Sequence, residues 1–397
     1  MLSANLKGLM KLVAAMAIAG FLRCLPRRRP IWLIADRKSF AGDNGEVLFD
    51  YIRREHPEID ARFALDAGSP DFDRLKSIGP VVKWRSPLRW ALALMAQVIV
   101  SSQAEPVFVN PFGDTGLIGK WWRNRRKFVF LQHGVIQNDL SSLYGKNRRG
   151  IDRFVVTAEK ERTSILTGNY GYQAEEVWLT GMPRYDKLIS NTDRIILIMP
   201  SWRANLAGKT NCNGQYAICP EFVKSRFFEF YSALLNSPKL IECARRLEYR
   251  IVFVLHPNFR RAAEFFHKIP GVAVLADAIL YTDWLSRGSV LVTDYSSVAF
   301  DFAYMNKPVV YCQFDREEFW SSSHVRKPGY FDYERDGFGE VTATVKATVA
   351  ALIDRLENDC RVEPEYSRRS REFFAYHDRN NCRRVCERIF AMLECRS

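Results

Sequence analysis

Short continuous runs of apolar residues alternate along this chain with stretches whose apolar residues recur every three or four positions. Runs of the first kind predict strands buried on both faces, and stretches of the second kind predict helices. Seven predicted strands precede residue 190, at Ile31–Ala35, Arg62–Leu65, Val81–Trp84, Gln97–Val100, Phe128–Leu131, Phe154–Thr157 and Val177–Thr180. Five more follow it, at Ile195–Met199, Ile251–Leu255, Val272–Leu275, Val290–Thr293 and Val309–Tyr311.

The two series of strands predict an α/β protein built from two doubly wound, Rossmann-like domains. We assign residues 30–190 to the first domain and 191–345 to the second, with C-terminal helices over 346–397. The polar stretch Asn205–Pro220 predicts a loop. In open parallel sheets ligands bind beyond the carboxyl ends of the strands, so we expect the functional residues in the loops that leave those ends.

Residues 1–29 form a separate N-terminal segment. Its apolar stretch Leu9–Leu22 is interrupted by Lys11 and followed by Arg23 and the run Arg27–Arg29. At this length we expect the stretch to be too short to cross a bilayer, and arginines after an apolar stretch oppose export. Two interpretations remain: an amphipathic helix on the inner leaflet, which we favour, or a helix packed against the adjoining domain.

The excess of positive charge indicates an acidic partner. The 397 residues include 58 Lys and Arg against 45 Asp and Glu, a formal net charge of +13. Nucleic acid, anionic lipid and a phosphate-bearing substrate would each fit. Basic clusters such as Lys120–Lys127 fit the last two, and no nucleic-acid-binding motif supports the first. Nine scattered cysteines, an odd number in a long chain, indicate reduced thiols rather than a secreted disulfide scaffold.

Two histidines stand directly after predicted strands. His133 is followed by Gly134, which lets the backbone turn sharply, and His256 is followed by Pro257, which ends the strand. An imidazole titrates near neutral pH, so either side chain suits a general base or a hydrogen-bond donor to a diphosphate. The competing interpretations are a histidine bonded into the sheet edge and an exposed loop histidine. We favour function because two of only six histidines occupy strand ends.

Three further motifs carry groups that suit phosphate. The segment Thr293–Ser297 joins a strand to a helix, where Asp294 and the hydroxyls of Ser296 and Ser297 would meet an anion at the helix start, although such serines are commonly plain caps. Asp301 follows in that helix and is expected to be structural. Arg203 and Arg184 follow two other strands, and arginine binds phosphate through two parallel hydrogen bonds. For Arg184, a pair with Asp186 is an equally good interpretation.

These residues resemble the family of CDP-glycerol:poly(glycerophosphate) glycerophosphotransferases of teichoic-acid and capsule synthesis. The resembling motifs run in the family's order through most of the chain: Gly42-Asp43-Asn44, Gln132-His133-Gly134, Gly181–Asp186, Pro200–Arg203, Leu255-His256-Pro257, Thr293–Phe302 with Asn306-Lys307-Pro308, and Gly329–Glu334. The resemblance implies a GT-B-type fold, in which two Rossmann-like domains face a central cleft. It also implies membrane association from the cytosolic side.

By analogy with that family, His133 would deprotonate the acceptor hydroxyl. His256, Ser296, Ser297 and Asp294 would hold the CDP-linked donor, and Arg203 would assist. The acceptor would be a phosphate-rich polymer or a lipid-linked glycan, and CMP would leave. No cluster of metal ligands is visible, although Asp294 leaves Mg²⁺ compatible with the sequence. The sequence is silent on oligomeric state.

The chain departs from the family pattern mainly around the first histidine. Gln132 replaces a usual tryptophan, Val135 and Ile136 replace threonine and proline, and Trp202 stands where phenylalanine or tyrosine is usual. These changes place the acceptor in question, and with it the polyol. Two alternatives therefore stay open: a nucleotide-sugar glycosyltransferase on the same fold, and a non-catalytic membrane- or polymer-binding protein.

Overall fold

Strands that all run in one direction form the central sheet of the first half of the molecule. In this computed structural model, which describes residues 4–26, 29–105, 109–113, 116–191, 193–210, 216–267, 269–276, 280–322 and 327–394, the chain divides into two compact units. Unit 1 comprises residues 1–135, 140–187 and 375–397, and unit 2 comprises 136–139 and 188–374. Arg27, Arg28, Cys212 and Cys395 lie outside the described residues.

The sheet of unit 1 has the strand order β3-β2-β1-β4-β5-β6-β7. Every pairing between these strands is parallel. The order reverses between β1 and β4, which creates the switch point where open α/β sheets bind ligands. The strands are β1 (Ile31–Ala35), β2 (Asp60–Leu65), β3 (Val81–Lys83), β4 (Val98–Ser101), β5 (Phe128–Phe130), β6 (Arg153–Val156) and β7 (Val177–Leu179).

Unit 2 repeats this topology. Its sheet has the order β12-β11-β8-β13-β14-β15, again parallel throughout, with the reversal between β8 and β13. An antiparallel pair, β9 with β10, stands apart from the sheet. The strands are β8 (Ile195–Ile198), β9 (Ala207–Thr210), β10 (Tyr216–Ile218), β11 (Arg250–Val254), β12 (Val272–Leu275), β13 (Val290–Thr293), β14 (Val309–Cys312) and β15 (Gly339–Thr342).

Helices connect successive strands, as parallel pairing requires. Those of unit 1 are α1 (Ala4–Cys24), α2 (Asn44–Glu55), α3 (Phe72–Ile78), α4 (Pro87–Met95), α5 (Leu117–Arg125), α6 (Ser141–Tyr144), α7 (Lys146–Arg149) and α8 (Glu159–Thr167). Those that follow in unit 2 are α9 (Arg226–Leu235), α10 (Pro238–Arg246), α11 (Tyr281–Arg287), α12 (Val298–Tyr304), α13 (Arg316–Ser322), α14 (Val345–Glu357) and α15 (Pro364–Phe373). Helix α16 (Asn381–Glu394) returns to unit 1, and short 3₁₀ segments include Pro183–Lys187 and Pro257–Phe265.

The predicted α/β class with two Rossmann-like sheets is confirmed. All twelve predicted strands are present, and each end agrees within two residues because continuous apolar runs mark strands that are buried on both faces. Two features were missed. Strand β15 contains Gly339 and Glu340 and so lacks an apolar run, and the hairpin β9–β10 lies inside the segment predicted to be a loop.

The C-terminal helix α16 completes the core of unit 1. Its side chains Cys382, Val385 and Ile389 are buried in the same apolar cluster as Trp32 of β1. The ring of Phe390 also contacts Trp32, with 5.2 Å between the centroids. The region predicted as one set of C-terminal helices is thus divided, since α14 and α15 belong to unit 2.

Asp186 holds the first turn of α16. Its carboxylate accepts hydrogen bonds from the backbone N–H of Asn381 at 2.9 Å, from that of Cys382 at 2.7 Å, and from the Asn381 amide at 2.7 Å. The approach is close: Gly181 has φ +78°, and a Cβ atom there would lie 1.9 Å from the side-chain oxygen of Asn381. Glycine is therefore required, and Asp186 acts as the cap of a helix far away in sequence.

Helix α1 packs against α4 and α5 through small side chains. Gly8, Ala15 and Ala19 are buried, and the Lys11 ammonium donates to the carbonyl of Pro111 at 2.9 Å. Large apolar side chains cover the opposite face, where Val13, Met16 and Phe21 are 60–68% exposed. The helix is therefore apolar on both faces rather than amphipathic as predicted. With 21 residues it is also long enough, by length and composition alone, to cross a membrane, which overturns the expectation that it is too short.

We predict that Asp186→Ala weakens the attachment of α16. Three buried backbone and amide donors lose their acceptor, so the free energy of unfolding should fall by roughly 1–3 kcal/mol. Urea unfolding followed by tryptophan fluorescence measures the change, since Trp32 lies under α16. The matched control is Glu387→Ala, which removes only an exposed pair with Arg383 on the same helix. Equal stability of the two variants would contradict the role given to Asp186.

Candidate functional site

In unit 1 the motifs that follow β1, β5 and β7 meet at the carboxyl edge of the sheet. The Asn44 amide nitrogen donates to the carbonyl of Gln132 at 2.8 Å, and the Asn44 side-chain oxygen accepts from the backbone N–H of Arg184 at 2.9 Å. One fully buried side chain thus joins all three loops.

The Arg184 guanidinium closes the same group of contacts. One terminal nitrogen donates to the carbonyl of His133 at 2.6 Å and to the Asp43 carboxylate at 3.0 Å. The arginine is 7% exposed. Arg184 therefore contacts Asp43 and the His133 carbonyl, whereas Asp186, its expected partner, caps α16.

The His133 side chain itself is open to solvent at this edge. Its pKa is lowered from the ordinary value, first because the surrounding protein desolvates the imidazolium and then because of the charge on Arg37. Arg184 lowers the pKa further, whereas Asp43 and Glu105 oppose the shift. The result is an imidazole that is neutral at neutral pH, the protonation state that a general base needs.

Gln132 points away from this edge. Its backbone has φ +63°, a left-handed conformation that non-glycine residues rarely adopt, and its side-chain amide donates to Glu161 at 3.1 Å inside the unit. Glu161 in turn accepts from the backbone N–H of Thr157 at 2.9 Å. Val135 and Ile136 are buried as well. The departures at Gln132, Val135 and Ile136 therefore lie in buried packing.

Three charged residues at this edge were missed in the sequence analysis. Arg37 and Glu105 act on His133 and follow β1 and β4, the two strands on either side of the switch point. Asp36, also after β1, is 1% exposed, and its carboxylate accepts from the backbone N–H groups of Asp43, Gly45 and Glu46. Burial and then the charge of Asp43 raise its pKa to about 7. Asp36 and Arg37 directly follow β1, and Glu105 lies in the loop after β4, so their position beyond strand ends was the signal that could have identified them.

In unit 2 a buried ion network joins the loops after β8 and β13. Arg203 is 3% exposed and contacts the Asp294 carboxylate at 2.9 Å and that of Asp315 at 2.7 Å. Asp294, fully buried, also accepts from the backbone N–H of Ser201 at 2.8 Å and of Tyr295 at 2.6 Å. The two carboxylates raise the pKa of Arg203 against the effect of burial. Arg203 and Asp294 thus lie behind the turn, bonded to each other, rather than on a surface where they would meet a donor.

His256 lies at the same edge of this sheet, after β11. Its Nδ1 accepts from the backbone N–H of Asn258 at 3.1 Å, which places the proton of the neutral ring on Nε2. The ring of Trp202 stacks on the imidazole, with centroids 6.0 Å apart and planes 20° apart. Trp202 therefore orients His256, so the unusual aromatic residue at this position has a structural explanation.

The two serines begin α12. The Ser296 hydroxyl accepts from the backbone N–H of Val298 at 3.4 Å, and Ser297, at the N-cap, makes no capping hydrogen bond among the described residues. Both side chains are partly exposed. Asp301 is fully buried in the same helix, in keeping with the structural role expected of it.

The side chains around Asp294 do not form a metal-binding site. Asp294, the residue that left Mg²⁺ compatible with the sequence, uses its oxygens for Arg203 and two backbone amides. Throughout the described ranges, no group of three or more His, Cys, Asp or Glu side chains is arranged to hold a metal. A divalent cation here would compete with an arginine already bonded to the same carboxylate.

Comparison with known sequences finds related proteins along nearly the whole chain. The family model described as CDP-Glycerol:Poly(glycerophosphate) glycerophosphotransferase matches residues 17–391. The minor teichoic acid biosynthesis protein GgaB of Bacillus subtilis is 35% identical over 367 residues, which cover 92% of this chain. This chain spans only 40% of the length of that relative. The teichoic acid glycerol-phosphate transferase of Staphylococcus aureus is 22% identical, over 92% of this chain and 94% of its own.

Comparison with solved structures finds the same fold. The wall teichoic acid polymerase TagF superposes with a TM-score of 0.65 and 12% identity, covering 99% of each chain. This likeness supports the predicted GT-B-type fold. At such identity it bears on the fold alone.

We predict that Arg203→Met destabilises unit 2 at neutral pH. Asp294 and Asp315 would remain buried without a counter-charge, at a cost of about 3–5 kcal/mol. Urea unfolding at pH 7.5 measures the loss of stability. The control is Arg316→Met, an exposed arginine paired with Glu334. A variant of normal stability that binds CDP-glycerol poorly would show instead that Arg203 is a ligand of the donor.

Proposed function

Because this chain belongs to the CDP-glycerol:poly(glycerophosphate) glycerophosphotransferase family, we propose that it transfers a polyol phosphate from a CDP-linked donor to an acceptor hydroxyl. Glycerol phosphate is the unit named by the family and by the staphylococcal relative. The acceptor is a membrane-linked glycan or a growing teichoic-acid-like polymer, which accords with the names of the relatives and with the net charge of +13. CMP is the second product.

In the proposed reaction the acceptor oxygen attacks the phosphorus next to the polyol. A new phosphorus–oxygen bond forms there, and the bond from that phosphorus to the oxygen bridging to CMP breaks. His133 takes the proton of the acceptor hydroxyl. His256 donates from Nε2 to the departing phosphate, and Ser296 with Ser297 binds the diphosphate. Catalysis is chiefly positioning and neutralisation of charge, as in other phosphoryl transfers.

The observation that carries this proposal is the state of His133. A histidine after β5, the strand beside β4, exposed to solvent and with a lowered pKa, has the position and protonation state of a base. Arg203 and Asp294 are given an indirect role in the proposal. They stabilise the turn that carries the serines, and they do not touch the donor.

We predict that His133→Ala lowers the rate of CMP release by about 100-fold or more, as expected for loss of a general base. His256→Ala should have a comparable effect. The assay follows CMP released by the purified full chain from CDP-glycerol or CDP-ribitol, with membrane extract as the source of acceptor. His267→Ala, at an exposed position, is the control.

The pH dependence provides a second measurement from the same assay. Because the pKa of His133 is lowered in the free protein, the neutral base persists into mild acid, and the acidic limb of kcat/KM should lie below pH 6.5. Release of CMP from neither donor, followed by activity with a UDP- or GDP-sugar, would replace this proposal by a glycosyltransferase. Full activity of His133→Ala would show that His133 is not the general base.

We further propose that unit 1 binds the inner face of the cell membrane. The exposed apolar face of α1 continues onto α5, because the Leu117 backbone N–H donates to the Asn5 side chain at 2.9 Å and Leu117 itself is 72% exposed. Trp121, 42% exposed, lies further along α5 among basic residues. Apolar side chains beside cations suit a surface of anionic lipid.

We predict that Val13→Glu with Met16→Glu abolishes binding to anionic vesicles. Carboxylates on the exposed face oppose both insertion and attraction to negative headgroups. Co-sedimentation with phosphatidylglycerol vesicles, against phosphatidylcholine alone, measures the binding. Ile189→Glu, another exposed apolar position, is the control. Unchanged binding would contradict the proposal, and a wild-type dimer that the double variant turns into a monomer would identify the face as a protein contact instead.

A further inference from the structure

The polypeptide on both sides of the His133 α-carbon is held by side chains from other loops. The carbonyl of the preceding residue, Gln132, accepts from Asn44 at 2.8 Å, and the carbonyl of His133 accepts from Arg184 at 2.6 Å. Gln132 also has a left-handed backbone, with φ +63°. A conformation of this kind costs energy and persists only where surrounding contacts impose it.

The two side chains that supply these contacts are bonded to each other. The Asn44 oxygen accepts from the Arg184 backbone N–H at 2.9 Å, so the amide uses its donor and its acceptor on different loops and its orientation is determined. Asp43 completes the set by accepting from the Arg184 guanidinium at 3.0 Å. Because Asn44 and Arg184 are buried, water competes little for these bonds.

The loop that carries Asn44 is itself anchored. Asp36 accepts from three backbone N–H groups at the start of α2, those of Asp43, Gly45 and Glu46, with the Gly45 bond at 2.8 Å. A Cβ atom at Gly45 would lie 2.5 Å from the Asp36 carboxylate, so this approach requires glycine. The backbone at Asn44 is therefore held in place, as it must be if the Asn44 side chain is to position another loop.

From these contacts we infer that Arg184 and Asn44 are positioning residues, which set the direction of the His133 imidazole and do not bind substrate themselves. The inference rests on the proposed role of His133 as base. It differs from a phosphate-binding role for Arg184, because the guanidinium is directed at the His133 carbonyl and the Asp43 carboxylate. A shift of about 1 Å in a reacting group is enough to lower a rate by two orders of magnitude.

The charge of Arg184 affects the pKa of His133, an effect that a purely structural residue would not have. It is one of the groups that lower the pKa of His133. Arg184→Gln removes this charge, so the imidazole pKa should rise, whereas Arg184→Lys keeps the charge but cannot bond carbonyl and carboxylate together as the guanidinium does. The two variants thus separate the electrostatic part of the role from the geometric part.

The primary test measures the titration of His133 by NMR in protein labelled on its six histidines, with the His133→Gln variant assigning the signal. We expect Arg184→Gln to raise the His133 pKa and leave that of His256 unchanged, and Arg184→Lys to leave both unchanged. Lys187→Gln is the matched control, since Lys187 lies in the same 3₁₀ segment and pairs with Asp50 at an exposed position. An unchanged His133 pKa in Arg184→Gln would overturn the electrostatic part.

Kinetics of CMP release test the geometric part. In Arg184→Lys and Asn44→Asp we expect kcat to fall by about 10- to 100-fold while KM for CDP-glycerol changes less than about threefold, because the base is misdirected and the donor is still bound. A rise in KM at unchanged kcat would make either residue a ligand and overturn the inference. Thermal unfolding of each variant identifies any loss of fold. If Asn44→Asp does not fold, the kinetics of the milder variant Arg184→Lys alone test the inference.

The outcomes for the inference and for the proposed function are distinguishable. If the wild-type chain releases no CMP from any CDP-linked donor, the proposed function fails, yet the titration of His133 still reports whether Arg184 acts on it. If wild type is active and Arg184→Lys and Asn44→Asp keep full kcat, the proposed function stands and the positioning role is wrong.

Discussion

Every strand in each of the two sheets runs parallel to its neighbours, and this single constraint determines where function can lie. Parallel strands need a crossover after each strand, so every loop that leaves a carboxyl end reaches the same edge. Residues as distant as Asn44, His133 and Arg184 meet at that edge in unit 1. In unit 2 the same constraint places His256, Arg203 and Ser296 at one edge. The strand order reverses at the equivalent position in both sheets, so the two units present loops of equivalent origin.

At each edge one arginine, Arg184 or Arg203, is turned inward, and one histidine stands at a strand end. Arg203 is enclosed by two carboxylates and by the rings of Tyr295 and Phe319, whose centroids lie 5.3 and 5.0 Å from the guanidinium carbon. Arg184 likewise contacts a carboxylate and a carbonyl. An arginine that is always charged is well suited to hold buried acceptors in place, whereas an imidazole can exchange a proton near neutral pH. In the proposed reaction the arginines therefore support the loops and the histidines exchange the protons.

The sequence was sufficient to predict the strands, the fold class and the loops that carry polar residues, because buried parallel strands are continuous apolar runs. It was not sufficient to tell which polar side chains face inward. Arg203 was predicted to contact the donor from its place beside a strand end, yet it points into the protein, where Asp315 is a partner. Gln132, beside another strand end, likewise points inward, and its partner is Glu161. These partners lie 112 and 29 residues away along the chain. Pairings over such distances leave no local pattern, and the same is true of Asp186 with α16.

The return of the chain to unit 1 has a consequence for its biosynthesis. Trp32 and the rest of the β1 strand leave the ribosome early, but the helix that covers them is made only after residue 380. Through most of translation this apolar surface is therefore uncovered, while unit 2, made without interruption from residue 188 to residue 374 apart from the short segment 136–139, can fold first. A nascent chain of this kind presents an exposed sheet face for as long as the second unit takes to synthesise, and exposed apolar surface of this kind favours aggregation.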